Sequence, residues 1–350
     1  MKKNKLALFF ILWSRVAFGE ITSTMVPLSR EMKQQYSNTA FESTVSNMPR
    51  VRSQDSLGVC FGFSSAVVAQ HYYCEQNKIQ CNPLDEKSEI SPMSMVAWAN
   101  PDDVNKRAGT WTNHSNIRFG GYGYAALGHF AVDRTNTITP EACYPFDQFA
   151  NRYGSNQAAV DVIILKLKAE YDKYKTEGHA CEECLIKIVR NDLGAKTSLS
   201  DLAKGLEQKT FDQFLYTAYF GSCEENEISL EPPPKMNMFP KQNETADYRQ
   251  VISEVKRVLA SGRPLNLDSI CPFYENSKCI SGHSVVITGY KSLCKKEKPS
   301  DCRDVLKIQN SWGDDWQKRN DDGWLDAQTL LGDKPIKEGA ISWLTTREKQ

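Results

Sequence analysis

The chain has little of what marks several functional classes. Its 43 basic and 43 acidic side chains cancel. There is no basic stripe and no polybasic cluster, so neither nucleic acid nor an anionic membrane surface is an expected partner. Lys295-Lys-Glu-Lys298 is short and reads as a solvated loop. No apolar run approaches the ~20 residues that a spanning helix needs, so no membrane anchor is expected. Internal repeats and low-complexity tracts are missing. Histidine is scarce, with five in 350 residues: His71, His114, His129, His179 and His283. Cys181-Glu-Glu-Cys184 has neither a second Cys-x-x-Cys nor a spaced histidine pair to complete a zinc site, so no metal or other cofactor is expected.

What is present is ordinary in bulk: 40% hydrophobic and 25% charged residues, enough for one large domain or two modest ones with a sizeable core. The N-terminus reads as a secretory signal peptide over residues 1–19. Lys2, Lys3 and Lys5 precede a short apolar run from Leu6 to Trp13, and Ala17-Phe-Gly19 supplies small residues for cleavage. The mature protein is therefore expected to be secreted or periplasmic.

Export changes how eleven cysteines are read. Without Cys60, an even set remains for disulfides in an oxidising compartment. Cys74 with Cys81, Cys271 with Cys279 and Cys294 with Cys302 are local pairs. Cys143, Cys181, Cys184 and Cys223 have three possible connectivities. The Cys181/Cys184 pair could also be a redox motif or half a zinc site.

The chain changes character along its length. Residues 20–40 read as a short extended lead-in. Phe61 to Tyr73 reads as a helix buried on most of its surface, and Ser91-Pro92 starts another. Gly120-Gly-Tyr-Gly123 is a turn before a short helix, Tyr124 to Val132. Residues 156–230 are strongly helical, Pro232-Pro-Pro234 opens a loop, and Thr245 can cap a helix running to Ser261. Strand-like runs then follow at 264–267, 284–288, 305–308 and 324–325. Helices first and strands last imply an α+β protein.

Cys60 opens the first buried helix, six residues after Gln54. A helix N-terminus carries unpaired N–H groups and partial positive charge, which favour thiolate, the attacking species. The Gln54 amide is a donor for an oxyanion forming beside the sulfur. His283 stands at the start of an apolar strand, Gly282-His-Ser-Val-Val-Ile-Thr-Gly-Tyr290, where its ring can project into a cleft. Asn310, in Gln309-Asn-Ser-Trp-Gly313, offers a neutral carbonyl to orient an imidazole, and Trp312 can cover that contact.

In this order, Gln54, Cys60, His283 and Asn310 resemble the constellation of the papain-like cysteine peptidases. The six-residue Gln–Cys spacing, the Cys-aromatic-small-Phe-Ser run and the Asn-Ser-Trp-Gly block carry the resemblance. Gly120-Gly-Tyr-Gly-Tyr-Ala-Ala-Leu127 and Glu141-Ala-Cys-Tyr-Pro-Phe146 support it. It covers about residues 40–150 and 245–345. It implies a two-lobed fold, with a helical N-terminal lobe, an antiparallel β-rich C-terminal lobe and the cleft between them. The implied boundaries are 41–150 for the helical lobe with the nucleophile, 151–244 for a helical insertion and 245–350 for the lobe carrying His and Asn. The implied activity is peptide-bond hydrolysis of a protein or peptide substrate through a thiolate–imidazolium pair, Cys60 and His283. Asn310 would orient the histidine, Gln54 would serve the oxyanion hole, and Gly58, Gly120, Gly121 and Trp312 would line the substrate cleft. A thiol acyltransferase on the same site and a non-catalytic binding protein of the same fold are the alternatives.

The chain departs from the family in three ways. Leu57 stands where the family signature has its neighbouring cysteine. The partner cysteine expected just before Gly120 is also missing, with Arg118 and Phe119 there. Cys60 and His283 are 223 residues apart, beyond the usual ~130–150, and the helical insertion accounts for most of the excess.

Overall fold

The computed structural model describes residues 21–98, 120–132, 136–152, 156–179, 181–332 and 334–347. The expected signal peptide, the end of the helix begun at Pro92 and the Arg118-Phe119 pair lie outside them.

The protein is α+β, with two apolar cores. The first gathers around the helix Cys60–Asn77, whose side chains are buried on nearly every face. A helix this apolar all round belongs inside, not on a surface. Gly62 lets the helix Pro92–Trp98 approach closely: a Cβ there would stand 2.7 Å from the Pro92 carbonyl oxygen. The Cys60–Asn77 helix ends at Lys78 in a left-handed conformation, and the Cys74–Cys81 disulfide fixes the exit. Phe61, Phe63, Phe146, Phe149 and Phe214 fill this core.

The same core continues into the helical stretch. Gln157–Glu177, capped by Asn156, presents Val160, Ile163, Ile164, Leu167 and Tyr171 inward, at the spacing of one helix face. Leu199–Glu207 and Phe211–Phe220 complete the group. The Cys143–Cys223 disulfide ties the end of this stretch back to its beginning, and Cys181 pairs with Cys184. This resolves the four cysteines whose connectivity was open. All three local pairs form as expected, leaving Cys60 as the free cysteine.

The second core lies against a seven-stranded antiparallel sheet. Its main order is Trp324–Asp326, Cys302–Gln309, His283–Cys294, Leu265–Ile270, Ile341–Thr346 and Pro234–Phe239. The amphipathic helix Tyr248–Ala260 packs Val251, Val255 and Val258 into this core.

Three local expectations differ from the structure. The lead-in is not extended throughout: Arg30–Gln35 is a short helix capped by Ser29, while Asn38–Thr44 is a strand pairing with the outer half of His283–Cys294. Its side chains are mostly exposed, so it shows no buried-face alternation in sequence. Pro234–Phe239 is an edge strand on Ile341–Thr346, a position that tolerates proline. Asp247, rather than Thr245, caps the helix that follows, through a capping box with Gln250.

Candidate active site

Six segments converge on one cavity of about 870 Å³, lined among others by Gln54, Gly58, Cys60, Gly120, Gly121, Gln157, His283, Ser284 and Trp312. Cys60 comes from the helical side, as the first residue of its helix. His283 comes from the sheet side, at the start of its strand. A bulge between His283 and Val285 breaks the register against Leu265–Ile270. Regular pleating sends neighbours to opposite faces. The irregularity accompanies the presence of both His283 and Ser284 at the cavity.

His283 is held from two directions. Its Nε2–H donates to Asn310 Oδ1 at 2.8 Å, which leaves Nδ1 as the nitrogen available for a proton. Trp312 stacks on the imidazole at 4.6 Å between centroids and 25° between planes. Phe273 also stacks on Trp312, at 5.8 Å between centroids. Asn310 is fully buried and lies behind the cavity wall, outside the lining. Gln317 supports that region: its Nε2 donates to the Ile308 carbonyl at 2.6 Å and its Oε1 accepts from the Asn310 N–H at 3.4 Å.

Gln54 is clamped to the same block. Its backbone N–H donates to the Ser311 carbonyl at 2.8 Å, and the Gly313 N–H donates to the Arg52 carbonyl at 3.2 Å. Its side-chain oxygen accepts from Ser311 Oγ at 2.5 Å, and Nε2 donates to the Leu57 carbonyl at 2.6 Å. An amide nitrogen carries two N–H groups, so Leu57 takes one. Arg52 is fixed by a buried ion pair with Glu141, which also accepts from the Phe146 N–H at 2.7 Å. The Glu141-to-Phe146 turn thus anchors the segment that carries Gln54.

Gly120, Gly121 and Gly58 line the cavity. Gly121 has no room for a side chain, since a Cβ would stand 2.9 Å from the Phe61 ring. Gly58 donates its N–H to Gln157 Oε1 at 3.1 Å. The helix Gln157–Glu177 therefore touches the loop that leads to Cys60, the loop in which Leu57 stands where the family signature has a cysteine.

The electrostatics overturn one expectation. Burial pushes the Cys60 thiol up to about 11, with hydrogen bonds from Ser284 and Phe61 pulling the other way and the charge of Asp268 adding to the rise. Burial also lowers His283 to about 4, against the raising effect of Asn310. The helix N-terminus does not outweigh desolvation. Both shifts favour the neutral forms, a thiol on Cys60 and a neutral imidazole on His283, over the expected thiolate–imidazolium pair.

Sequence reasoning missed Asp268, Ser284, Gln157 and Ser311. Asp268 Oδ1 accepts from the Gly123 N–H at 2.9 Å and from Ser284 Oγ at 2.6 Å. Its Oδ2 accepts from the Tyr124 N–H at 2.9 Å and from Asn266 Nδ2 at 2.7 Å. An aspartate inside a strand-like run, Pro264-Leu-Asn-Leu-Asp-Ser-Ile270, was the available clue.

The similar solved structures are papain-like cysteine proteases. Bromelain from Ananas comosus, bound to the inhibitor E64, aligns at a TM-score of 0.41 and 11% identity, over 86% of this chain and 95% of its own. The proform of Amb a 11, a ragweed pollen allergen, aligns at 0.40 and 12%, over 92% and 70%. SERA5E from Plasmodium falciparum aligns at 0.40 and 12%, over 91% and 94%. No family model and no curated protein matches the sequence. The likeness is loose, and the chemistry of the site rests on its own geometry.

Proposed function

We propose that this protein is an exported cysteine peptidase that hydrolyses peptide bonds of a protein or peptide substrate through an acyl-enzyme on Cys60. The observation that carries the reading is the convergence on one cavity of a helix-start thiol, a histidine oriented by a buried asparagine and a clamped glutamine amide. Five disulfides support an exported protein. No helix among the described residues is long and apolar enough to cross a membrane.

Because both resting groups are neutral, the thiol loses its proton as it attacks. His283 Nδ1 takes the proton from Cys60 Sγ while sulfur bonds to the substrate carbonyl carbon. The oxyanion is received by the remaining Gln54 amide N–H and the Cys60 backbone N–H, which lies in the first helical turn and lacks an intrahelical acceptor. His283 then protonates the leaving amine, and the carbon–nitrogen bond breaks. Water enters, gives a proton to His283 and attacks the thioester, and the returning proton restores the thiol. Asn310 keeps the imidazole in the tautomer with hydrogen on Nε2 throughout. Gly58, Gly120 and Gly121 let an extended substrate backbone lie close to the protein.

A thiol-directed epoxide tests the reading. It labels Cys60 in the native protein and is blocked by peptide substrate. Hydrolysis that survives Cys60→Ala would refute the assignment.

A further inference from the structure

The helix Gly123–Val132 begins without a cap of its own. Its first N–H groups need an acceptor from outside the helix, and Tyr122, which precedes it, is not one of the short polar residues that cap a helix start. Asp268 supplies the acceptor, 145 positions along the chain from Gly123. Its Oδ1 accepts from the Gly123 N–H and its Oδ2 from the Tyr124 N–H, both at 2.9 Å. The same carboxylate accepts from Ser284 Oγ at 2.6 Å and from Asn266 Nδ2 at 2.7 Å. All four neighbours donate, which fills the lone-pair sites of an ionised carboxylate. Partial positive charge at the helix start suits that ion. Asp268 is buried and lies outside the cavity lining.

These contacts join two walls of the cavity. Gly120, Gly121 and Tyr122 line it from the segment that enters this helix, and Ser269, Ile270, His283 and Ser284 line it from the sheet. Asp268 directly precedes Ser269 in its strand. Its Oδ1 is shared between Gly123, which follows the first wall, and Ser284, which belongs to the second. The fit is close: a Cβ on Gly123 would lie 2.4 Å from Asn266 Oδ1.

Resting on the peptidase reading, we propose that Asp268 is a positioning residue, a buried clamp that sets the distance between the Gly120–Tyr122 wall and the wall carrying His283. Hydrogen bonds to an ionised acceptor are short and strong, so the clamp holds both walls firmly. An extended substrate backbone lies along Gly120 and Gly121 in this reading. Asp268 itself touches no substrate and takes part in no step of the reaction. Its influence therefore grows with the length of substrate that lies along the first wall.

The test compares wild type with Asp268→Asn and Gly123→Ala in the full chain, with the disulfides intact and native circular dichroism checked. Asp268→Asn keeps the size, but an amide nitrogen accepts nothing, so at most two of the four contacts survive. Gly123→Ala wedges the first wall away from the carboxylate and changes no charge. Two substrates are used, a fluorogenic hexapeptide amide and an activated ester whose acyl part is a single residue. The clamp predicts that kcat/KM for the hexapeptide falls about 10- to 100-fold, the cost of a shift of order 1 Å, while the ester loses about tenfold less. The hexapeptide loss is expected mainly in KM. Equal losses on the two substrates, or no loss on the hexapeptide, would overturn the clamp. If Asp268→Asn does not fold, Gly123→Ala decides alone. In Gly123→Ala the pH midpoint of Cys60 alkylation by iodoacetamide should stay at its wild-type value; a moved midpoint would place the damage at the nucleophile and overturn the clamp. Hydrogen exchange at the Gly123 and Tyr124 amides needs no substrate, and should quicken about tenfold in Asp268→Asn. Quickened exchange in a protein that hydrolyses neither substrate would leave the clamp standing and remove the peptidase reading. Unchanged exchange would overturn the clamp.

Discussion

Asn310 is the residue whose loss should separate orientation from chemistry. In Asn310→Ala, the His283 Nε2–H loses its acceptor at 2.8 Å in a fully buried setting. A buried donor left without a partner costs about 1–3 kcal/mol, which the ring can recover only by turning away from the productive tautomer or orientation. That range corresponds to about 5- to 150-fold in population. Trp312 still stacks on the ring at 4.6 Å, so the imidazole plane is retained and only the tautomer and in-plane rotation are freed. The expected outcome is a fall of about 10- to 100-fold in kcat, with KM little changed, because Asn310 lies behind the cavity wall and touches no substrate. The assay is steady-state hydrolysis of a fluorogenic peptide, with epoxide titration of active sites to correct for misfolded protein. Activity within about twofold of wild type would refute the claim that Asn310 orients the base. A rise in KM at constant kcat would place Asn310 in substrate binding instead.

Four further outcomes follow from the same geometry. Gln54→Ala should lower kcat by about 10²–10³, the usual cost of one oxyanion donor, while leaving the Cys60 alkylation midpoint near its wild-type value. Gln157→Ala removes the acceptor for the Gly58 N–H and should lower kcat several-fold without altering far-ultraviolet circular dichroism; unchanged turnover would show that the helical stretch does not hold the nucleophile loop. Glu141→Ala leaves the buried Arg52 unpaired and should cost about 3–5 kcal/mol in urea denaturation; a loss below about 1 kcal/mol would contradict the anchoring role. His283, lowered to about 4 by burial, binds a proton in the unfolded chain at higher pH than in the folded one. Its contribution to stability is therefore intact above about pH 6.5 and is lost as pH falls from there toward 4, by about 3 kcal/mol in all. His283→Gln should flatten the stability profile over that interval, and an unchanged slope would contradict the assigned protonation.

The site and the supporting fold were unequally legible in the sequence. Cys60, His283 and Asn310 each sit where a short local pattern fixes the context: a helix start, a strand start and a turn. Their roles could be proposed without knowing how the segments meet. The local disulfides were legible for the same reason, since seven or eight residues separate their cysteines. Asp268 and Ser284 were not, because their meeting depends on strand register and on the bulge beside His283. Gln157 was read as one helical residue among many; its contact with Gly58 spans 99 positions. The thiolate expectation failed because a helix N-terminus can be read from sequence, whereas the depth of burial opposing it cannot. Asp247 was overlooked although Asp-x-x-Gln is itself a capping pattern.

The central claim is that Cys60 forms an acyl-enzyme. The most direct measurement is intact-mass spectrometry of the protein quenched in acid during turnover of an activated peptide ester, followed by peptide mapping. A transient adduct of the acyl mass on Cys60, absent from Cys60→Ala and prolonged in His283→Gln, is the predicted result. Turnover of the ester with no adduct on Cys60, or with the acyl group mapped elsewhere, would contradict it.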